Sequence, residues 1–251
     1  MNTLENNLFP DRYFGSGSLA LPTGEDIQHM RRSFKKHLIG FIEALPENAT
    51  ILDVGCGSGK AIRLMKTLRP DLHIAGMDIS DVGHLLPNDV PFIQGKLEDL
   101  RDLYKDNSFD AIICQHVIEH LVYPLSLMEG IQSLLRIGGV CYIETPNWTR
   151  MLVPFSNLYF WGDYTHVRPF SRSAMHRLLD EFNFKILSID TVSSSQWFPP
   201  KSKIQLGGTK AVAASRISHA APPRGIIARV AARLLNPILR DVLIVTAGKI
   251  G

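Results

Sequence analysis

The 251-residue sequence predicts an α/β fold, a mostly parallel seven-stranded sheet with helices on both faces. Short apolar runs alternate with amphipathic helical segments between residues 49 and 147. A glycine-rich turn joins the first strand of this alternation to its helix. Two further apolar runs, near the C-terminus, flank a long irregular excursion. Strands that alternate with helices form parallel sheets covered on both sides, and the last two runs predict an antiparallel pair at the sheet edge.

Each element is predicted from its periodicity and its flanking turn residues. The predicted helices are Glu25–Leu45, Lys60–Leu68, Leu97–Tyr104, Leu125–Arg136 (ended by Gly138 and Gly139) and Ser171–Phe182. The predicted strands are Thr50–Val54, His73–Met77, Val90–Gln94, Phe109–Cys114, Val140–Glu144, Phe184–Val192 and Asp241–Thr246. They divide the chain into an N-terminal segment (1–48), a ligand-binding core (49–147), an aromatic lid (148–170) and a C-terminal part (171–251) with a basic insertion at 195–240.

Composition favours a globular enzyme in a reducing compartment. Hydrophobic residues make up 45% of the chain and charged residues 20%, as is usual for globular domains. No apolar run approaches the ~18 residues that span a bilayer, and the first residues lack the pattern of a secretory signal. The three cysteines are scattered, without disulfide or zinc spacing. We therefore expect a cytoplasmic protein.

Charge is distributed unevenly along the chain. Residues 1–200 hold 18 Lys and Arg against 23 Asp and Glu, a net charge of −5, whereas residues 201–251 hold 9 against 1, a net charge of +8. The basic segment is interpreted either as a solvated face or as a contact with an anionic partner such as lipid headgroups. Its apolar stripe within Gly225–Leu235 either packs on the sheet or lies on a membrane surface.

The most informative motif is Ile51-Leu52-Asp53-Val54-Gly55-Cys56-Gly57-Ser58-Gly59. A buried strand runs into glycines that let the backbone turn tightly and approach a ligand. Asp53 can accept a hydrogen bond from an amino group, and Asp78, about twenty-five residues later, can bind both hydroxyls of a ribose. Lys60 occupies the position of the third glycine in the dinucleotide motif G-x-G-x-x-G. The pattern therefore favours a ligand with an amino-acid portion and no pyrophosphate.

This turn, the ribose acid and the strand Phe109-Asp110-Ala111-Ile112-Ile113 together resemble class I S-adenosylmethionine-dependent methyltransferases, which have a Rossmann-like fold. The resemblance covers Ile51 to Asn147. It implies that S-adenosylmethionine is the cofactor, although Gly95-Lys96 departs from the Gly-Asp often found near the adenine. The cofactor-binding residues that it implies are Asp53, Gly55, Cys56, Gly57, Gly59, Asp78, Ile79, Leu97, Glu98 and Gln115.

The segment His116-Val117-Ile118-Glu119-His120 has two interpretations. As H-x-x-E-H it matches a zinc-peptidase helix motif. It also resembles the V-I-E-H-L segment that closes the fourth strand of the same methyltransferases and helps to hold a divalent metal in ubiquinone-pathway O-methyltransferases. Those enzymes carry an acid where this chain has His116, and no third ligand is apparent. We therefore expect no metal, activity that survives a chelator, and a structural or site-wall role for Glu119 and His120.

A second motif lies in the aromatic lid, which holds seven of the 21 aromatic residues. Its D-x-x-H-x-R-x-F-S sequence, from Asp163 to Ser171, resembles methyltransferases of polysaccharide and lipid-linked glycan gene clusters. An imidazole near neutrality can accept the proton that a hydroxyl loses on methylation, so His166 is the first candidate base and His116 the second. Asp163 either orients His166 or closes a turn. The predicted acceptor-binding residues are Trp161, Tyr164 and Arg168.

The predicted function is methyl transfer from S-adenosylmethionine, with O-methylation of a saccharide or other small molecule preferred. The alternatives are a nucleic-acid (tRNA) methyltransferase, a non-catalytic S-adenosylmethionine-binding module and a zinc hydrolase. Cys114-Gln115-His116-Val117 stands where enzymes that methylate base amines carry Asn/Asp-Pro-Pro-aromatic, so nucleic acid is the less favoured partner. Peripheral contact with the inner face of a membrane stays open through the basic insertion.

Overall fold

A computed structural model describes residues 19–148, 160, 163–192 and 242–251 of the chain. Its centre is one seven-stranded sheet in the order β3-β2-β1-β4-β5-β7-β6. The strands are β1 (Thr50–Val54), β2 (His73–Asp78), β3 (Phe92–Gln94), β4 (Phe109–Gln115), β5 (Leu135–Pro146), β6 (Phe184–Val192) and β7 (Val242–Lys249).

Strands β1 to β5 pair in parallel, and β7 lies antiparallel between β5 and β6. The predicted fold, including the antiparallel strands at the edge, is confirmed. The order reverses at β1, where β2 lies on one side and β4 on the other. Ligands of open α/β sheets bind at the carboxyl ends of the strands beside such a reversal, so the ends of β1, β2 and β4 are the expected site.

Among the described residues, six α-helices cover the two faces of this sheet. They are α1 (Gly24–Arg31), α2 (Lys36–Glu43), α3 (Lys60–Leu68), α4 (Leu100–Leu103), α5 (Pro124–Leu134) and α6 (Arg172–Glu181), with short 3-10 turns at Gly83–Leu85, Leu97–Asp99 and Ile118–His120. No helix in the described part of the chain is long and apolar enough to cross a membrane. The basic insertion and its apolar stripe lie outside the described residues.

Alternate side chains of the strands pack into two separate hydrophobic cores, one on each face of the sheet. In β1, Ile51 faces the core formed with α2 and α3, whereas Leu52 and Val54 face the core formed with α4, α5 and α6. Strand β4 divides in the same way, with Ile113 on the first side and Ile112 on the second. A sheet buried on both faces therefore explains the continuous apolar runs of its central strands.

Two predicted boundaries are wrong. The single helix predicted for Glu25–Leu45 is two helices, because Ser33 interrupts it: its Oγ donates to Met30 O (2.8 Å) and accepts from Lys35 N (3.2 Å). Such local side-chain bonds compete with the helical ones.

The glycines predicted to end the fifth helix instead lie inside β5, which begins at Leu135. Gly138 has φ +80°, and a Cβ on Gly139 would come within 2.9 Å of Arg136 O. The β4–β5 register shifts in this region, between Phe109 and Ala111. These glycines therefore accommodate an irregular strand rather than ending a helix.

Arg63 of α3 ties the glycine-rich turn to its surroundings. The guanidinium is nearly buried, and it donates to three backbone carbonyls, those of Leu19, Ser58 and Leu85. Three segments far apart in the sequence are thereby held around the end of β1.

We expect Arg63→Met to lower the free energy of unfolding by about 1–3 kcal/mol, because it leaves one buried and two partly buried carbonyls without a donor. Lys66→Met on the same helix is the matched control: it removes an ion pair with the exposed Asp89, and such pairs contribute little. Denaturant unfolding of both variants measures the difference. Equal loss of stability in the two variants would contradict the structural role of Arg63.

Candidate active site

A cavity of about 290 Å³ lies where β1 and β4 end. It adjoins a second cavity of about 470 Å³ beneath α1 and α2, with which it shares several lining residues. The first cavity is lined by Lys35, Asp53, Gly55, Cys56, Gly57, Ser58, Lys60, Ala61, Gln115 and His116. Five of the predicted cofactor-binding residues and one predicted base thus meet at one place.

The glycine-rich turn has the left-handed backbone that its sequence predicts. The φ angles of Gly55, Gly57 and Gly59 are +71°, +49° and +73°. A Cβ on Gly55 would lie 2.3 Å from Cγ2 of Val117, so the turn also packs directly against the segment that follows β4. Only glycine satisfies both constraints at Gly55.

Two buried carboxylates stand behind this turn. Asp78 accepts hydrogen bonds from Gly57 N and Ser80 N, both at 2.9 Å, and so braces the turn. Burial raises its pKa despite these bonds. Burial, with the charge of Asp78 added, raises the pKa of Asp53 to about 7, and Lys35 opposes this shift. An acid with such a pKa becomes fully ionised when a cationic ligand lies beside it.

The remaining residues predicted to bind the cofactor do not line this cavity. Gly59 caps α3. Leu97 is buried in the core beside α4 and α5, while the side chain of Glu98 is exposed. Ile79 is half-buried, and its carbonyl accepts from Gln94 Nε2 at 3.1 Å. Their roles near the adenine stay predictions.

Glu144, at the end of β5, is the central site residue that sequence reasoning missed. Its side chain is fully buried, and its carboxylate accepts four hydrogen bonds: from Lys35 Nζ (3.1 Å), Gln115 Nε2 (2.8 Å), His116 Nε2 (3.0 Å) and Tyr142 OH (3.1 Å). Burial opposes its ionisation, but the bond from His116 and the charge of Lys35 prevail and lower its pKa to about 2. The sequence contained one signal for Glu144, since it is an acid within an otherwise apolar strand. No local pattern indicated that Lys35 belongs to the site.

His116 is held between two carboxylates. Nε2 contacts Glu144, and Nδ1 lies 3.3 Å from Oε1 of the buried Glu119. Burial disfavours the charged ring, but the two carboxylates outweigh it and raise the pKa of His116 to about 9. Its φ of +54° is unusual for a side-chain-bearing residue. Because the imidazolium has no lone pair, the structure argues against His116 as the general base.

His166, the histidine of the aromatic lid, lies beside the H-x-x-E-H segment. Ligand atoms of Glu119, His120 and His166 lie within 4.8 Å of one another, and the rings of His120 and His166 are 4.6 Å apart. Backbone N–H groups of Val167 and Arg168 donate to the carbonyl of Glu119 at 2.9 and 3.1 Å, joining the two segments. Glu119 therefore links the predicted base, His166, to His116, which lines the cavity.

Asp163 does not orient His166 by a hydrogen bond. Its Oδ2 lies 3.8 Å from His166 Nε2, which is longer than a hydrogen bond. Oδ1 accepts instead from Thr165 N at 2.9 Å and from Thr165 Oγ1, as expected for an Asp that closes a turn. The ring of His166 is oriented by its Nδ1, which is 2.9 Å from Phe160 O.

Of the three predicted acceptor-binding residues, the structure describes Tyr164 and Arg168, and both are exposed. Tyr164 is exposed, and exposed Arg168 reaches Val122 O at 3.4 Å through Nη2. Trp161 lies outside the described residues. Ser171 caps α6 by accepting from Ala174 N at 3.0 Å, as predicted from its type and position.

Parts of the chain are similar in sequence to curated proteins. A ubiquinone biosynthesis O-methyltransferase of Xanthomonas campestris is 32% identical over 112 residues, 42% of this chain and 46% of the relative. A tRNA U34 carboxymethyltransferase of Campylobacter fetus is 26% identical over 168 residues, 59% of this chain and 57% of the relative. This chain spans about half the length of such curated relatives.

A crystal structure described as a SAM-dependent methyltransferase from Archaeoglobus fulgidus superimposes with a TM-score of 0.62 at 18% identity, covering 95% of this chain and 97% of that one. This structural similarity confirms the predicted Rossmann-like fold. The sequence model of the methyltransferase domain family matches residues 27–189, which is more than half of the chain. With the glycine turn and the acids of β1 and β2 in place, this chain belongs to the methyltransferase domain family.

Proposed function

We propose that the 290 Å³ cavity receives the methionine portion of S-adenosylmethionine and that Asp78 contacts the ribose. The residues present fit that ligand. A left-handed glycine turn allows close approach of the backbone, and buried Asp53 offers an acceptor to the ammonium group. Asp78 already binds two amides, but a carboxylate has about four lone-pair positions, so it can still accept from ribose hydroxyls. Asp53 in the cavity wall, with Asp78 behind the turn, suits a ligand with a positive sulfonium.

We expect Gly57→Val to abolish cofactor binding, because a branched side chain at φ +49° must displace the turn and enter the cavity. Gly138→Val is the matched control. It imposes the same substitution at φ +80°, within the irregular part of β5, where a Cβ meets nothing within 4 Å. Calorimetric titration with S-adenosylmethionine measures both. Unchanged affinity in Gly57→Val, or preferential binding of NAD by the unmodified protein, would refute the assignment.

The raised pKa of Asp53 predicts that cofactor affinity depends on pH. The groups that face Asp53 are Asp78 from β2, Cys56 from the turn and Lys35 from the start of α2. Below a pH of about 7 the ligand-free carboxyl is protonated, and a cationic ligand must displace that proton. Binding should therefore weaken as the pH falls, by up to about tenfold per unit.

The measurement is the Kd for S-adenosylmethionine between about pH 5.5 and 7, a range chosen below the usual pKa of an α-amino group. Asp53→Asn should bind more weakly at pH 7 and lose most of the slope. A slope that persists in Asp53→Asn would assign the pH dependence to another group, with Asp78 as the next candidate.

We further propose that the methyl acceptor is a hydroxyl group of a saccharide or other small molecule. The observation that supports this proposal is the cluster of Glu119, His120 and His166. Within it, Glu119 contacts His116, which lies on the wall of the proposed cofactor cavity. A methyl group transferred to an alcohol needs help to remove a proton, and this cluster offers histidine nitrogens for that purpose. The O-methyltransferase among the relatives supports an oxygen acceptor.

The reaction is an in-line displacement. The acceptor oxygen forms a bond to the methyl carbon as the bond between that carbon and sulfur breaks. The bonding pair stays on sulfur, which becomes a neutral thioether, and the acceptor proton leaves through the cluster to solvent. The chain contributes orientation of the two reactants and removal of the proton, because the electrophile is already activated.

The test is formation of S-adenosylhomocysteine with a panel of hydroxyl acceptors (monosaccharides, nucleotide sugars and phenols) and matched amines. We expect turnover with hydroxyl compounds. With a working acceptor, His166→Ala should lower kcat by about 10²–10⁴ and leave cofactor affinity unchanged. His73→Ala is the control and should leave kcat unchanged, because His73 begins β2 at the end of the strand away from Asp78.

Arg168→Ala should mainly raise the KM of the acceptor. Two results would contradict the proposal. One is preferential turnover of the amines. The other is near-normal kcat in His166→Ala, which would make the lid histidine structural.

A further inference from the structure

Gln115, the last residue of β4, lies between the cofactor side and the acceptor side of the proposed site. Its half-buried side chain lines both the cavity of about 290 Å³ and the adjoining cavity of about 470 Å³ beneath α1 and α2. The next residue, His116, contacts Glu119 of the cluster on the acceptor side. A methyl group in transfer lies between the two reactants, so Gln115 is placed at the boundary that the group crosses.

One hydrogen bond fixes the orientation of the Gln115 amide. Nε2 donates to Glu144 Oε2 at 2.8 Å. An ionised carboxylate can only accept hydrogen bonds, so the NH₂ end of the amide must face Glu144. The carbonyl oxygen, Oε1, is thereby turned away from Glu144, and no described residue donates a hydrogen bond to it. Gln115 therefore offers an acceptor atom with a fixed direction at the wall of the cavity.

Glu144 is itself held in place, so it cannot turn to follow the amide. Its Oε1 accepts from Lys35 Nζ at 3.1 Å and from His116 Nε2 at 3.0 Å, and its Oε2 accepts from Tyr142 OH at 3.1 Å. The side chain is fully buried. The positive charges of Lys35 and His116 keep the carboxylate ionised and therefore an acceptor only. Support of this kind holds a ligand-contacting group in one orientation before the ligand arrives.

We propose that Oε1 of Gln115 contacts the methyl group of S-adenosylmethionine and that Glu144 is the positioning residue that directs this oxygen. The methyl hydrogens carry part of the sulfonium charge, so a carbonyl oxygen attracts them in a C–H···O contact. The contact orients the methyl group toward the acceptor before transfer. This inference rests on the proposed placement of the methionine portion in the cavity of about 290 Å³.

The amide of Gln115 has a different role from the buried acids. Asp53 and Asp78 act on the charge of the cofactor as a whole, whereas a neutral amide acts mainly on the group that touches it. S-adenosylhomocysteine shares every other part of the cofactor but lacks the methyl group and its charge. Loss of the amide should therefore weaken binding of S-adenosylmethionine more than binding of S-adenosylhomocysteine, whereas a purely structural role would weaken both equally.

The experiment compares Kd values by calorimetry on the full chain, without acceptor or turnover. Gln115→Met keeps the length of the side chain and removes the amide. We expect it to lower the preference for S-adenosylmethionine over S-adenosylhomocysteine by about two- to fivefold, as for one weak hydrogen bond. Sinefungin, in which a carbon bearing an ammonium group replaces the methylated sulfur, gives a larger signal. Its charged N–H should donate to Oε1, so its affinity relative to S-adenosylhomocysteine should fall by about tenfold or more.

Gln94→Met is the matched control. Gln94 ends β3, pairs with Asp78 in the sheet and donates through Nε2 to Ile79 O at 3.1 Å. The same substitution there should leave the ratios of the Kd values unchanged, and the melting temperature shows that each variant is folded. Equal weakening of all three ligands by Gln115→Met, or no weakening of any, would overturn the methyl contact. Failure of the unmodified chain to bind any of them would instead refute the cofactor assignment.

A second variant tests the positioning role of Glu144. Glu144→Asp keeps the negative charge but shortens the side chain, which withdraws the acceptor from Gln115 Nε2. It should lower the same preference and add no further loss to Gln115→Met, because both changes act on one contact. An unchanged preference in Glu144→Asp, or an equal loss with and without Gln115→Met, would overturn the positioning role. NMR of the isotopically labelled unmodified chain measures the bond independently: the Gln115 side-chain amide should exchange slowly with water, and fast exchange would also overturn that role.

Discussion

The buried carboxylate of Glu144 is the interaction on which the site depends. An isolated ionised carboxyl in this position would cost several kcal/mol of desolvation. Here four donors reach it from the start of α2, from the end of β4 and from β5 itself. Two of them, Lys35 and His116, carry positive charge. The carboxylate therefore fixes the ends of two neighbouring strands and holds the start of α2 over the cavity at the ends of β1 and β4.

The same interaction explains the unusual backbone of His116. A residue with a side chain in the left-handed region costs about 1–3 kcal/mol, and such strain persists only where the surroundings enforce it. His116 N donates to Glu144 O at 2.7 Å, and its ring bridges Glu144 to Glu119. The sharp change of direction after β4 thus leaves Gln115 at the cavity, while Glu119 and His120 are directed to the lid.

The sequence predicted the cofactor side of the site better than the acceptor side, and the reason is contact range. The glycine turn, Asp53 and Asp78 are specified by local geometry: a strand, a turn and a helix within a few residues. Lys35 meets Glu144 across 109 residues, and no periodicity encodes that contact. His166 was predicted as a candidate base, but its neighbours were not, because the backbone that follows it is held by two N–H groups that bind the distant Glu119 carbonyl.

Charge divides the two sides of the site in a way that suits methyl transfer. Asp53 and Asp78 lie on the proposed cofactor side with raised pKa values, and a cationic ligand there would relieve the cost of ionising them. Transfer of the methyl group removes the sulfonium charge, so these acids hold the product less strongly than the reactant. On the proposed acceptor side, Glu119 is paired with the ring of His116, which also contacts Glu144. His116 therefore stands between the acids that would face the sulfonium and the carboxylate beside His166, so each side of the site keeps its own balance of charge.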